Sequence, residues 1–592
     1  MNGPATSPPR LVWDHPDVGE GRAEALAGAM DLDPVVARLL VLRGVTTADE
    51  AERFLHPRLE HLHDPFRLAD LRLAVDRLER AIDQGDRIAV HGDYDVDGVT
   101  STVILRRVLE LLGADVTHFI PERLRDGYGL EPAAVERLAA DGVAVVVSVD
   151  CGIRSRAAAV RARELGVDLI VTDHHEPEAV LPPALAVINP KRRDCDYPDK
   201  NLAGVGVALK LVQALCLRRD RSGWLPAFVK LAAVGTVADV VPLRGENRVI
   251  AKLGLERLSR KRHATGLQAL LDSAGLLGES LTGFHVAFRL APRINAAGRM
   301  STPDLATRLL LLTDESRADE ARSLAGQLEE VNVRRREEEA EILAAARRKV
   351  DADPDVGAHA ILVVWGAGWH RGVIGIVASK LVDLFHRPAI VLAVEGDLAY
   401  GSGRSIPGFD LLEALEHCGE LFTKFGGHRH AAGVTIESGR LAELRRRLTA
   451  FADDRLGPEQ LMPRLRIDGR LPLAAITPRM MAGLRAMEPF GAGNPRPVFH
   501  SGELALADAP RVLKSRHLAM RVRQEGRVFR AVAWRMADRA DFVRRHGDAL
   551  DLAFHLTENT WRGERTVELS VADIRPAASG DGSEAPAGQE PP

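Results

Sequence analysis

The sequence predicts an α/β protein of several domains, with a parallel sheet in its first half and a small β-barrel near its end. Three observations carry this. From Arg87 onward, short Val/Ile runs alternate with helical segments, the pattern of buried parallel strands covered by helices on both faces. A long charged stretch over 314–350 separates this region from a second one of the same kind. Beyond about residue 463 polar and apolar positions alternate, the period of half-buried strands.

Taken in order, residues 1–10 are rich in Pro and Ser and are expected to be disordered. Residues from about 20 to 85 read as short helices, with helical apolar spacing over 33–44 and 71–83. RIAV (87–90) is a short apolar strand, and 100–113 an amphipathic helix with Gly113 as its stop. Residues 116–120, 143–149 and 167–172 read as further strands. The 314–350 stretch carries many i,i+4 pairs of opposite charge, which predicts a solvated helix acting as a semi-rigid connector. Strands at 360–365 and 388–394 open the second α/β segment, over about 358–455. Alternation over 517–535 supports a barrel and places Trp534 in its core. Residues 577–592 read as a low-complexity tail.

Composition sets limits on function. The 592 residues carry a formal net charge of −4, so any nucleic-acid groove must be a local feature. The four cysteines form no C-x-x-C pair, which argues against a zinc ribbon and fits a reducing compartment. The sequence shows neither a signal-peptide pattern nor an apolar run of about 18 residues, so the expected location is cytoplasmic, with no membrane contact. No G-x-G-x-x-G follows the first strand and no P-loop occurs, which argues against a dinucleotide- or nucleotide-binding protein.

The chemistry is carried by clusters that each follow a predicted strand. The first leads into His91-Gly-Asp93-Tyr-Asp95-Val-Asp97-Gly98, the next into Asp150-Cys-Gly152, the next into Asp173-His174-His175. In an open parallel sheet ligands bind outside the carboxyl ends of the strands, so these loops would meet at one rim. Carboxylates gathered there repel one another, and bound divalent cations relieve that repulsion. Carboxylate-plus-imidazole ligation suits Mn²⁺, while Mg²⁺ favours oxygen ligands with several waters. Two such cations about 3.5–4 Å apart can activate water and stabilise the leaving oxygen of a phosphodiester. A lone D-x-D is usually a solvated turn and a lone His pair usually packing; the ordered combination, each part after its own strand, is specific.

This combination resembles the DHH phosphoesterase family, and Gly235-Thr-Val-Ala-Asp239 is similar to its fourth motif. The resemblance implies two divalent cations, Mn²⁺ or Mg²⁺. By position, His91 and Asp95 would hold one, Asp97, His174 and Asp239 the other, and Asp150 would bridge both. Asp173 would orient a neighbouring group, His175 would face the substrate phosphate, and Asp93 would be structural or would support the ligands from behind them. The implied organisation is an N-terminal helical region over 1–80, a DHH catalytic domain over 81–312, a connecting helix over 313–352, a DHH-associated substrate-binding domain over 353–456, a domain like the oligonucleotide-binding (OB) fold over 457–576, and the tail 577–592.

Further motifs resemble the branch of that family formed by single-strand-specific exonucleases. They are Pro292-Arg-Ile-Asn-Ala-Ala-Gly-Arg299, the Gly-rich segments around His370, Ser402–Arg404 and His428, and 489–499 leading into the barrel. The implied activity is degradation of single-stranded DNA from its 5′ end by water attack, releasing 5′-mononucleotides, in DNA repair and recombination. Arg293, Asn295, Arg299, His370, Ser402, Arg404 and His428 are the expected substrate-binding residues, since glycines let backbone N–H groups approach phosphate and Arg grips it bidentately. Arg299 could instead tie the two halves together, and His370 and His428 could brace the Gly-rich loops. Lys514, Arg516, His517, Arg521 and Phe529 are candidate barrel contacts. The resemblance also implies a monomer that cooperates with a single-strand-binding protein and a repair helicase. Two other readings stay open: a DHH phosphodiesterase of short RNA or cyclic dinucleotides, and a non-catalytic DNA-binding scaffold.

Overall fold

The computed structural model describes residues 11–17, 19–122, 129–353, 358–561 and 564–577. The expected disorder of 1–10, and the tail beyond Ala577, lie outside them. The chain forms two compact units. Among the described residues, one is drawn from His56–Met462 and Pro489–Asn494, the other from 11–55, Pro463–Glu488 and 495–577. The region 1–80 is therefore not one body: its described residues before His56 join the C-terminal unit, where Val12–Asp14 pairs in parallel with Arg464–Arg466.

The first unit holds two sheets. The first comprises β1 (Ile88–His91), β2 (Val116–Phe119), β3 (Val145–Val149), β4 (Asp168–Thr172) and β5 (Ala186–Ile188). All pairs are parallel and the order is β2-β1-β3-β4-β5. Every residue of β1, β3 and β5 is buried, which is why these strands read as unbroken apolar runs. The strand order reverses between β1 and β3, and the crevice at such a switch point is where doubly wound sheets bind ligands. β5 was not predicted, because three residues among prolines give too short a signal.

The second sheet comprises β6 (Leu362–Ala367), β7 (Ala389–Glu395), β8 (Leu398–Arg404), β9 (Phe422–His428) and β10 (Ala431–Glu437). Its order is β9-β10-β8-β7-β6, and only β6–β7 is parallel. The helix Ala318–Ala352 links the two lobes, and the expectation that it is merely solvated is corrected. Ala321, Leu324, Ala325 and Leu328 enter the core of the first lobe, and Ile342, Ala346 and Val350 that of the second. At about 1.5 Å per residue it is a spine of roughly 50 Å with a buried stripe. Its dense surface charge had masked that stripe.

In the second unit, strands Phe499–Leu506, Leu550–Trp561, Glu564–Pro576, Arg527–Ala533 and His517–Gln524 pair in that order. Pairing of Ala505 with Arg523 and Leu506 with Val522 closes them into a five-stranded barrel. Trp534 does not lie in its core: it is 57% exposed, with its ring 4.9 Å from His517. The strand ends at Ala533 and Arg535 takes a left-handed conformation, so the alternation stops one residue before the indole. No helix among the described residues is long and apolar enough to cross a membrane.

Candidate active site

The site is assembled at the carboxyl ends of β1, β3 and β4. β1 delivers His91 and the D-x-D-x-D loop. Asp95 caps the helix Val96–Leu111, its carboxylate accepting from Gly98 N at 3.0 Å. This cap starts the helix four residues earlier than predicted and sets Asp97 on its first turn, fully turned inward. There Asp97 accepts from the backbone N–H groups of Gly204 (2.7 Å) and Val205 (2.8 Å), which open the helix Gly204–Arg218. A carboxylate at a helix N-terminus meets both free donors and the positive end of the dipole.

β3 delivers Asp150 in a left-handed conformation, φ 60°, with its N–H bonded to Thr172 O at 3.0 Å. That conformation is uncommon for a residue with a side chain and here turns the carboxylate into the site. Its room exists because residue 204 is glycine: a Cβ there would lie 2.4 Å from Asp150 Oδ1. β4 delivers Asp173, which is buried and accepts from His174 N (2.7 Å), His175 N (3.0 Å), His175 Nδ1 (2.7 Å) and Ile153 N (2.9 Å). Asp173 thus ties the β4 loop to the β3 loop and fixes the His175 ring. Asp239 follows the helix Leu225–Ala238.

Three groups of possible ligand atoms lie within 4.8 Å of one another: Asp93, Asp95 and Asp150; Asp97, His174 and Asp239; and Asp150, His174 and His175. His174 Nε2 is 3.2 Å from Asp150 Oδ1 and 3.7 Å from Asp239 Oδ2. All three atoms are buried and make no hydrogen bond. Buried polar atoms are normally satisfied, so this cluster has the character of a ligand set. The geometry differs from the sequence expectation at two residues. Asp93, expected to be structural or to support the ligands from behind them, converges with Asp95 and Asp150. His91 belongs to none of these groups; its Nδ1 lies 3.7 Å from Cys151 Sγ and its ring against Phe119.

The electrostatics follow from burial and crowding. Burial, then the neighbouring carboxylates, raise Asp97 to about 7 and Asp239 to about 9, and push Asp150 well above the usual range. Burial, then the charge of His175, lowers His174 to about 4. The His174 ring is therefore neutral at pH 7. Since Nε2 makes no hydrogen bond, the ring's bond to the Leu202 backbone comes from Nδ1, leaving the Nε2 lone pair for a cation. Burial opposes protonation of His175, but the Asp173 hydrogen bond and charge outweigh it, and its pKa is raised.

The second lobe contributes a guanidinium and an imidazole. His428, at the end of β9, is held below the ordinary histidine range by burial and then by the charges of His430, Arg404, Arg154 and His175, so it lies within electrostatic reach of the His175 loop. Arg404 donates to Ser402 Oγ at 3.1 Å, and a Cβ on Gly375 would lie 2.9 Å from that hydroxyl. Arg404 and Ser402 thus meet the first turn of the helix Ile374–Phe385. Other expected residues take bracing positions. Asn295 Oδ1 accepts from Val96 N at 3.1 Å, Arg293 pairs with Glu329 at 2.6 Å, Arg299 donates to Gly372 O at 3.1 Å, and His370 accepts from Gly372 N at 3.0 Å. Sequence reasoning missed Gly204, Val205 and Asn247. Asn247 is buried and bonds Asn201 O, Ala203 N and Pro242 O, joining the start of the Gly204 helix to the loop after Asp239. The Gly-Val-Gly run at 204–206 was a legible signal for a close approach.

Comparison with known proteins decides the family. The DHH family, N-terminal domain, matches residues 87–236, the DHHA1 domain 357–454 and the RecJ OB domain 467–573. The single-stranded-DNA-specific exonuclease RecJ of Bacillus subtilis is 38% identical over 570 residues, 95% of this chain and 71% of that protein. RecJ of Escherichia coli is 36% identical, over 92% of this chain and 96% of its own. The chain belongs to the RecJ family. The structure of Thermus thermophilus RecJ in complex with Mn²⁺ superposes with a TM-score of 0.82 at 34% identity, covering 98% of this chain and 81% of that one. The same RecJ with Mg²⁺ gives 0.76 at 32% identity, over 96% and 78%. Divalent cations of that kind fit the buried carboxylates and imidazole here.

Proposed function

We infer that this RecJ-family chain is a metal-dependent exonuclease specific for single-stranded DNA, degrading it from the 5′ end and releasing 5′-mononucleotides in DNA repair and recombination. The observation that carries this is the facing of two chemistries: buried acids and His174 on the first lobe, Arg404, Ser402 and His428 on the second. Two divalent cations at the acidic rim supply charge neutralisation on the phosphodiester and a lowered pKa for the attacking water. We assign ligation to Asp95, Asp97, Asp150, His174 and Asp239, with Asp93 as the further acid in place of His91.

The chain's own residues do the rest. Asp173 holds His175 so that Nδ1 is engaged and Nε2 keeps a proton toward a non-bridging phosphate oxygen. The Gly204 helix start holds Asp97, leaving it little freedom to follow a misplaced substrate. Arg404, Ser402 and the backbone at Gly375 grip the 5′-terminal phosphate. Water attacks phosphorus, the 3′-oxygen of the terminal nucleotide leaves, and a nucleoside 5′-phosphate is released. Trp534 and His517 offer a stacking surface on the barrel beside Lys514 and Arg516. By family resemblance we propose a cytoplasmic monomer that works with a single-strand-binding protein and a helicase.

The test is digestion of 5′- and 3′-labelled single-stranded oligonucleotides by wild type and Asp150→Ala, in Mn²⁺ and in EDTA. The expected result is labelled mononucleotide released at once from the 5′ end only, lost in EDTA and in the variant. Survival of long strands with cleavage of dinucleotides would replace this function by a short-substrate phosphodiesterase. No cleavage of either would leave a scaffold.

A further inference from the structure

Two phenylalanines stand where an ordinary fold would hide them. Phe284 is 61% and Phe288 68% exposed, and their rings lie 4.8 Å apart at an interplanar angle of 32°. They sit on one continuous helical run: Gly283–His285, a π-turn over Val286–Leu290, and Ala291–Met300. The π-turn is a rare geometry that recurs at functional positions. The far end of the same run is part of the active site's frame, since Asn295 holds Val96 N between Asp95 and Asp97. At about 1.5 Å per residue, the pair lies roughly 10–16 Å along the axis from that contact. In stacked single strand, at about 3.4 Å per nucleotide, this is about three to five nucleotides.

A cluster of cations lies on the turn packed against the segment that leads into this run, where a Cβ on Gly278 would lie 3.8 Å from Lys261 Cγ. Leu281 N donates to Ser259 Oγ at 2.9 Å, which anchors the turn carrying Arg260, Lys261 and Arg262 next to the start of the helix. All three are exposed. Arg262 approaches Glu315 only to 3.8 Å, with both side chains more than nine-tenths exposed, a contact worth little. Exposed aromatic rings beside a solvated basic run are the two ingredients of sequence-tolerant single-strand binding: rings for bases, cations for the backbone.

We propose that Phe284 and Phe288 form a base-stacking platform, with Arg260, Lys261 and Arg262 tracking the phosphates, for the nucleotides about three to five positions downstream of the scissile bond. The inference rests on the exonuclease reading for its substrate. The platform supplies a grip that only strands longer than a dinucleotide can use, so it acts on affinity for long strands and leaves the chemistry of the terminal bond alone.

The test uses the full chain and reads binding and cleavage separately. Binding of a fluorescent 5′-phosphorylated 12-mer is followed by anisotropy in EDTA; cleavage of the 12-mer and of a dinucleotide is followed in Mn²⁺. Phe284→Ala/Phe288→Ala is expected to raise Kd for the 12-mer about tenfold or more and to leave dinucleotide hydrolysis unchanged. Phe288→Trp should retain binding. Abasic sites at positions three to five should weaken wild type by a similar factor and the double variant by much less. Arg260→Ala/Lys261→Ala/Arg262→Ala should flatten the salt dependence of binding. An unchanged Kd in the Phe double variant, with an unchanged melting temperature, overturns the platform and assigns the pair to a protein contact. Equal loss on 12-mer and dinucleotide overturns it as well. Tight, Phe-dependent binding by a chain that cleaves nothing supports the platform and overturns the exonuclease reading.

Discussion

Gly204→Ala tests the site at its tightest point. The added Cβ would lie 2.4 Å from Asp150 Oδ1, 2.7 Å from Cγ and 2.8 Å from Cβ, where ordinary contact begins at 3.4 Å. Asp150 must therefore retreat by about 1 Å. It is held on the other side by its own left-handed backbone and by the bond to Thr172 O, so the retreat displaces the carboxylate. Ligand distances tolerate about ±0.2 Å, and a misplacement of about 1 Å costs roughly 100-fold in rate. The expected loss in kcat/KM on 5′-labelled single-stranded DNA is thus about 100-fold, or about 2.7 kcal/mol, with a higher Mn²⁺ midpoint. The Gly204 N–H that Asp97 uses survives in Ala, and Ala is the better helix former, so the melting temperature should not fall in step. Gly206→Ala is the control: its Cβ would approach only the flexible end of Leu202, at 3.1 Å, and should leave activity near wild type. Wild-type rate and Mn²⁺ response in Gly204→Ala would refute Asp150 as a constrained ligand.

Three further outcomes are expected. The folded-state pKa values of Asp97 (about 7) and Asp239 (about 9) lie above their unfolded value near 4, so the metal-free protein loses stability as pH rises from about 4 through 9. Mn²⁺ displaces those protons, so its stabilisation should be larger at pH 8.5 than at pH 6; thermal melts with Mn²⁺ and with EDTA at both values measure this, and an equal shift at both contradicts it. Asn247→Ala removes the bonds to Asn201 O, Ala203 N and Pro242 O, and metal affinity should fall about 10–100-fold by Mn²⁺ titration, with single-strand binding in EDTA retained. Lys210→Met strands Glu246 with both side chains at 0% exposure, leaving only the Tyr197 hydroxyl (2.5 Å) and His63 N (2.9 Å) as its partners, and should cost about 3–5 kcal/mol in urea unfolding.

Much of the site was legible because its chemistry is written locally. Asp93, Asp95, Asp97, Asp150, Asp173, His174 and His175 each follow a short apolar strand, and a parallel sheet delivers whatever follows its strands to one edge. The strands themselves were readable because burial on both faces favours runs of Val, Ile, Leu and Ala. Misreadings arose where two signals overlapped. The linking helix hid a buried stripe beneath paired surface charges, and Trp534 followed a strand that had already ended.

What the sequence determined by itself was therefore the parallel sheet, the order of the loops around its rim and the kind of atoms they bring there. The tertiary structure decided which of those atoms converge: Asp93 rather than His91 beside Asp95 and Asp150, and His428 within electrostatic reach of His175 from a lobe more than 200 residues away. It also decided that a missing Cβ at Gly204 and two backbone N–H groups set the position of the central acids. The physical reason is that residue type and strand period are local properties. Which side of a turn a carboxylate leaves by, and what stands 3 Å from it, depends on contacts between segments far apart in the chain.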